Sequence, residues 1–177
     1  MCAKINSGPF IFIIISTFIL SSCITSQITS NKESGFNEKL SKIYLVINSS
    51  KGASEFSYSF KTTFLQALAD YGVKSDYYVK GPLSLESEKE ISERINKFNP
   101  QFIIVVTQTE SKSFAGVNWA SSNNINGGTF DIKILPPNSD KPVWRASLDA
   151  YGDNGIEMAV DKSVKRLIEK LKSDKLI

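Results

Sequence analysis

The chain has 177 residues, 41% of them hydrophobic, and its 21 Lys and Arg against 18 Asp and Glu leave a formal net charge of +3. That length suits one well-buried domain, and so small a charge leaves no electrostatic footprint for nucleic acid. Histidine is absent altogether, which removes the commonest general acid and base, the usual zinc ligand and the middle member of Ser-His-Asp systems.

The first feature in chain order is an apolar run from Phe10 to Leu20, preceded by Lys4 and followed by Ser21, Ser22 and Cys23. Eleven residues are too few to cross a bilayer, which needs about 20. A charged start, a short apolar centre and small residues at a cleavage point instead describe a secretory signal. Leu20-Ser21-Ser22-Cys23 resembles the lipobox of bacterial lipoproteins. The resemblance implies cleavage before Cys23 and a lipid carried on its sulfur, so that acyl chains attach the protein to membrane. An ordinary secretory signal or an uncleaved anchor, with an incidental cysteine, is the competing reading.

On this reading residues 1–22 are discarded, 23–41 form a lipidated cysteine and a flexible tether, and 42–177 form a single domain. The tether expectation rests on the polar composition of Ile24 to Ser41, which offers few apolar groups to offset ordering. Cys2 leaves with the signal and Cys23 is blocked, so no disulfide is available to the mature chain. Ile24, standing where some lipoproteins carry aspartate, implies by the same resemblance an outer-membrane location facing the periplasm.

Ile43 to Ile47 is a short, wholly apolar run that predicts a strand buried on both faces. Phe56, Phe60, Phe64, Ala67, Leu68 and Tyr71 recur at helical spacing up to Gly72. Val73 to Lys80 predicts a second strand; Ser87 and Glu90 form a capping-box signature, and Ile91, Ile95 and Phe98 give a second helix its inner stripe. Phe102 to Thr107 predicts a third strand. A short strand through Trp119 and a polar loop follow, then alternating strands at Thr129 to Leu135 and Val143 to Ala150. The last helix is expected from a cap at Asp153 or Asn154, with Ile156, Val160, Val164, Leu167, Ile168 and Leu171 as its stripe. The order β-α-β-α-β-β-β-β-α predicts an α/β domain (α+β as the neighbouring possibility) with a mixed sheet and helices packed on it.

No Gly-x-Ser-x-Gly, phosphate-cradling or dinucleotide-binding motif occurs, nor any calcium loop or Cys/His metal spacing. No catalytic, cofactor or metal residue is therefore assigned. Six carboxylates are candidates for an acid-only hydrolase: Asp70, Asp76, Glu110, Asp131, Asp149 and Asp153. Asp131 and Asp149 approach each other if their strands pair, but Lys133 and Arg145 make cross-strand charge pairing the simpler expectation. Trp119, among Gly, Ser and Asn, is a candidate partner contact, as are Tyr77 and Tyr78, of which alternation sends one inward and one outward.

The junction Asn99-Pro100-Gln101 into FIIVVT, the meander with Pro142-Val143-Trp144-Arg145 and the closing amphipathic helix resemble small envelope lipoprotein domains. Among these are the TolB N-terminal-like domain and the LpoB-type activators of peptidoglycan synthases. The resemblance implies a non-catalytic module that binds or scaffolds another envelope protein. The alternative is an auxiliary lipoprotein of a transport or secretion complex.

Overall fold

Strand β2 (Lys42–Asn48) lies at the heart of a six-stranded mixed sheet of order β1-β6-β5-β4-β2-β3. The computed structural model describes residues 26–112, 127–151 and 155–177. Around β2 the chain builds α1 (Ser54–Ala69), β3 (Lys74–Lys80), α2 (Glu88–Phe98), β4 (Phe102–Lys112), β5 (Gly127–Leu135), β6 (Trp144–Tyr151) and α3 (Ile156–Ser173). Strands β3 and β4 both run parallel to β2 and flank it; β4, β5 and β6 form the expected antiparallel meander. The fold is thus the α/β class that the sequence predicts.

The chain steps from β2 to β3 on one side, then back past β2 to β4. Two right-handed crossovers in opposite directions must use opposite faces of the sheet, and the packing agrees. Phe56, Phe60, Phe64 and Leu68 of α1 share a core with Ile43, Leu45 and Ile47, whereas Ile91 of α2 packs on the alternate residues Tyr44 and Tyr78. Stacked rings at Phe56, Phe60 and Phe64 run along α1, and Phe56 also stacks on Phe130 of β5. Helix α3 lies beside α1 and buries Val160, Val164, Leu167 and Leu171 on the same face. Each large side chain so buried contributes roughly 1.5–3 kcal/mol, which makes this two-helix face the main source of stability.

Local signals act as the sequence suggests. Glu90 N–H donates to Ser87 Oγ at 3.3 Å and Ser87 N–H to Glu90 Oε2 at 2.8 Å, closing the capping box of α2. Asn99 ends that helix in the left-handed region at φ 51° before Pro100. Gly72, at φ 74°, turns the chain from α1 into β3. Tyr71 is the exception in the α1 stripe: it lies past the helix end and is 45% exposed. The cap of α3 expected at Asp153 or Asn154 and the strand expected through Trp119 lie outside the described residues.

The tether expectation fails for much of its length. Gln27–Lys32 is a strand, β1, that pairs antiparallel with all but the last two residues of β6 and forms one edge of the sheet. Phe36 meets Phe102 edge to face at 5.4 Å, and Leu40 is buried. The inward positions of β1 are Ile28, Ser30 and Lys32, only one of them apolar, so no hydrophobic alternation marks the strand. Ser30 and Lys32 are held by the end of α3 instead: Ser30 Oγ donates to Asp174 Oδ2 at 2.7 Å and Lys32 Nζ to the Asp174 carbonyl at 2.9 Å. Trp144 Nε1 donates to the same Asp174 carboxylate at 2.8 Å. Asp174 therefore ties β1, β6 and α3 together. Partial burial raises its pKa, but the bonds from Trp144, Ser30 and Lys170 outweigh that and hold the carboxyl below its ordinary range.

Candidate docking face

Helix α2 covers β2 and β3 on its side of the sheet, through Ile91, Ile95 and Phe98. Among the described residues nothing packs on the same side of β4, β5, β6 and β1. The outward positions there follow from strand parity, because Ile104, Val106, Phe130, Ile132, Ala146 and Leu148 all point into the α1–α3 core. What remains faces out: Ile103, Val105, Thr107 and Thr109 of β4, Asp131, Lys133 and Leu135 of β5, Arg145 and Ser147 of β6, and Thr29 and Asn31 of β1, so the face is apolar where β4 begins and polar beyond.

Register aligns these groups into a row. Lys80 pairs with Asn48, Asn48 with Thr107, Thr107 with Asp131, Asp131 with Ser147 and Ser147 with Thr29. One polar side chain from every strand thus spans the whole sheet, a distance of about 24 Å at the usual strand spacing of about 4.8 Å. Toward β2 the row enters a groove of about 720 Å³ at the carboxyl ends of the parallel strands, lined by Asn48, Ser50, Lys80, Glu88, Thr107 and the apolar Val46 among others. Asn48 Nδ2 donates to Thr107 Oγ1 at 3.0 Å, and Lys80 is paired with Glu88. Chain reversal across a central strand opens such a crevice, the usual ligand position in open α/β sheets.

The middle of the row carries charge. Arg145 Nε donates to Asp131 Oδ1 at 2.6 Å, and Lys133 Nζ lies 3.3 Å from Asp131 Oδ2. The Arg145 bond is the cross-strand pairing expected from the sequence, whereas Lys133 reaches Asp131 along β5 itself. Partial burial pushes the Asp131 carboxyl up, but the bonds from Arg145 and Lys133 outweigh it and hold the group below the ordinary carboxylate range. A carboxyl so held stays ionised and is a poor proton donor near neutral pH. Asp149, diagonal to Asp131 across β5 and β6, accepts from Thr129 Oγ1 at 2.6 Å.

The remaining sequence candidates separate. Tyr77 projects from the edge strand β3 at 44% exposure, with Lys61 Nζ 4.4 Å from its ring centre. Tyr78 points inward at 6% exposure, beneath α2, and is corrected here from candidate contact to core residue; its hydroxyl lies 2.6 Å from Ser84 Oγ. Trp119 and Cys23 lie outside the described residues, as does Asp153. Asp70, Asp76 and Asp131 each line a different groove. Among the described residues no group of three or more His, Cys, Asp and Glu is placed to hold a metal, and no helix is long and apolar enough to cross a membrane.

The polar row escapes sequence reading for a definite reason. Parity tells which residue of a strand faces out, but only the register, set by strand order 1-6-5-4-2-3, puts Asn48, Thr107 and Ser147 on one line.

No protein-family model matches the chain, and no curated protein does. Solved structures do. A PelC variant dodecamer from Paraburkholderia phytofirmans superposes with TM-score 0.56 at 13% identity, covering 81% of this chain and 96% of that one. A second PelC dodecamer from the same organism gives TM-score 0.53 at 12% identity, covering 81% and 95%. Both show a shared fold and nothing finer. The lipoprotein GNA1162 from Neisseria meningitidis, at TM-score 0.42 and 13% identity over 75% of this chain and 99% of that one, is too distant to carry an argument.

Proposed function

We propose that this chain is a lipid-anchored cell-envelope protein, attached through Cys23, whose domain docks another envelope protein on the uncovered side of its sheet. The observation that carries the reading is the pairing of Leu20-Ser21-Ser22-Cys23 with a face that is four strands wide, polar beyond Ile103, Val105 and Leu135, centrally charged and without a packed helix among the described residues. Soluble antiparallel sheets commonly leave one face to water, so exposure alone says little. Here the face continues into a groove whose polar groups converge, which gives a partner both area and register. The reading is non-catalytic: Asp131 and Asp149 stand diagonally on neighbouring strands, but Asp131 is committed to Arg145 and Lys133 and Asp149 accepts from Thr129.

Arg145 is 60% exposed in its side chain and available to a partner, with Asp131 fixing its position. Partner choice then follows charge complementarity around Arg145 and Lys133. A photo-crosslinker at Ser147 should form one discrete adduct in cells, and Arg145→Glu should abolish it while the far-UV circular dichroism stays that of the folded domain, with the thermal midpoint lowered because a second carboxylate then faces Asp131. An adduct indifferent to Arg145→Glu, or adducts only from Asn138 at the far turn, would count against this face. The dodecameric state of the PelC proteins makes a second copy of the chain the alternative partner. Adducts of twice the chain mass carrying only this sequence would select it.

A further inference from the structure

The turn between β3 and α2 exposes two leucines that the fold does not use. Leu83 is 90% exposed and Leu85 100% exposed, the most exposed of the large hydrophobic side chains among the described residues. Their segment is not loosely attached. Ser84 N–H donates to the Gly81 carbonyl at 3.1 Å, Ser84 Oγ meets the Tyr78 hydroxyl at 2.6 Å, and Glu86 and Glu88 are paired with Arg94 and Lys80. Polar groups on both sides of each leucine are tied back to the domain, and the two apolar side chains are left pointing into solvent.

Their place in the sheet identifies what they meet. Thr29 of β1 and Lys80 of β3 stand in the same register row. Ser26 lies three residues before Thr29, and Leu83 three residues after Lys80, so both leave the sheet at the same end, near its opposite edges. Ser26 is buried, with Oγ 3.3 Å from Ser163 Oγ and accepting from Tyr151 N–H. Only Ile24 and Thr25 separate it from Cys23, and three residue steps reach at most about 10 Å. An acylated Cys23 then leaves no slack: this end of the sheet sits against the lipid surface.

We propose that Leu83 and Leu85 insert into the bilayer beside the acyl chains, giving the domain a second membrane contact about 24 Å from the first, across six strands. The inference rests on the Cys23 anchor proposed above. Two contacts at opposite edges fix the sheet upright on the membrane, with the polar row turned sideways, open to a partner. A single lipid contact would leave the domain free to swing.

The test uses the whole chain, matured through its own N-terminus, purified in detergent and reconstituted into phosphatidylethanolamine and phosphatidylglycerol vesicles with brominated acyl chains. Cys2 leaves with the signal and an acylated Cys23 cannot react, so one added cysteine is the sole label site. A fluorophore on Leu83→Cys should lose at least half its emission relative to unbrominated vesicles, and Leu85→Ser in the same chain should reduce that quenching. A fluorophore on Asn138→Cys, at the opposite end, should be unaffected. Equal, absent quenching at both positions on a chain whose mass shows lipid at Cys23 overturns the insertion and leaves the anchor standing. An unlipidated mass overturns both.

Discussion

Replacing Asp174 by alanine should destabilise the domain far more than a residue just past a C-terminal helix ordinarily would. The carboxylate accepts from Trp144 Nε1 at 2.8 Å and from Ser30 Oγ at 2.7 Å, and Lys170 Nζ lies 3.0 Å away. Trp144 is 1% exposed, so its N–H cannot turn to water when its acceptor is removed. A buried donor left unsatisfied costs about 1–3 kcal/mol, and a bond to a charged acceptor is itself worth about 1.5–3 kcal/mol. Taken together these give a loss of roughly 3 kcal/mol, or about 6–12 °C in Tm for a domain of this size. Asp174→Asn keeps an acceptor and should cost about 1 kcal/mol. Circular dichroism during thermal and urea unfolding of Asp174→Ala, Trp144→Phe and the double variant gives the coupling between the two sites. A phenylalanine ring in place of the indole has no N–H to strand, so Asp174→Ala should cost about 1–2 kcal/mol less in the Trp144→Phe background. Equal costs in both backgrounds would refute the claim that Asp174 serves Trp144.

Acid should unfold the protein through the same group. Asp174 and Asp131 are held below the ordinary range in the folded state, so their contribution is complete above about pH 4, the unfolded value, and fades as pH falls through their folded values. Stability measured from pH 5 to pH 2 should fall less steeply in Asp174→Asn, and parallel curves would contradict this. Gly128→Ala should cost about 1–3 kcal/mol by overpacking, because a Cβ there would stand 2.6 Å from the Glu110 carbonyl oxygen. Gly81→Ala, with nothing within 4 Å of its Cβ, should stay within about 0.5 kcal/mol, and equal effects of the two would contradict the strand geometry. Deleting Thr25 to Asn37, harmless if the segment were a tether, should instead abolish or strongly lower the thermal transition by removing β1 and Phe36; an unchanged Tm would show that β1 is dispensable.

How much of this was legible in the sequence depends on where each signal resides. The buried strands and the three described α-helices announced themselves, because Ile43 to Ile47, Phe102 to Thr107 and the stripes of α1 and α3 carry their burial in their own residue types. Strand β1 did not, since Ser30 and Lys32 face inward onto polar groups of Asp174, a partner 144 and 142 residues away. The Asp131–Arg145 pair was within reach, because a hairpin brings nearby sequence together. The full polar row was not, because it depends on the order in which distant strands are laid side by side. Tyr77 and Tyr78 show the intermediate case: alternation predicted that they divide, and only the placement of α2 decided that Tyr78 is the buried one.

The short reach from Cys23 to Ser26 makes the anchor the most consequential claim, because it orients the sheet, the leucines and the docking face at once. Intact-mass and N-terminal peptide measurement of the membrane-extracted protein tests it most directly. The account predicts a chain that begins at Cys23 with a diacylglyceryl group on its sulfur, and Cys23→Ala that releases no such species. A chain beginning elsewhere, or a Cys23 with a free thiol, would contradict it.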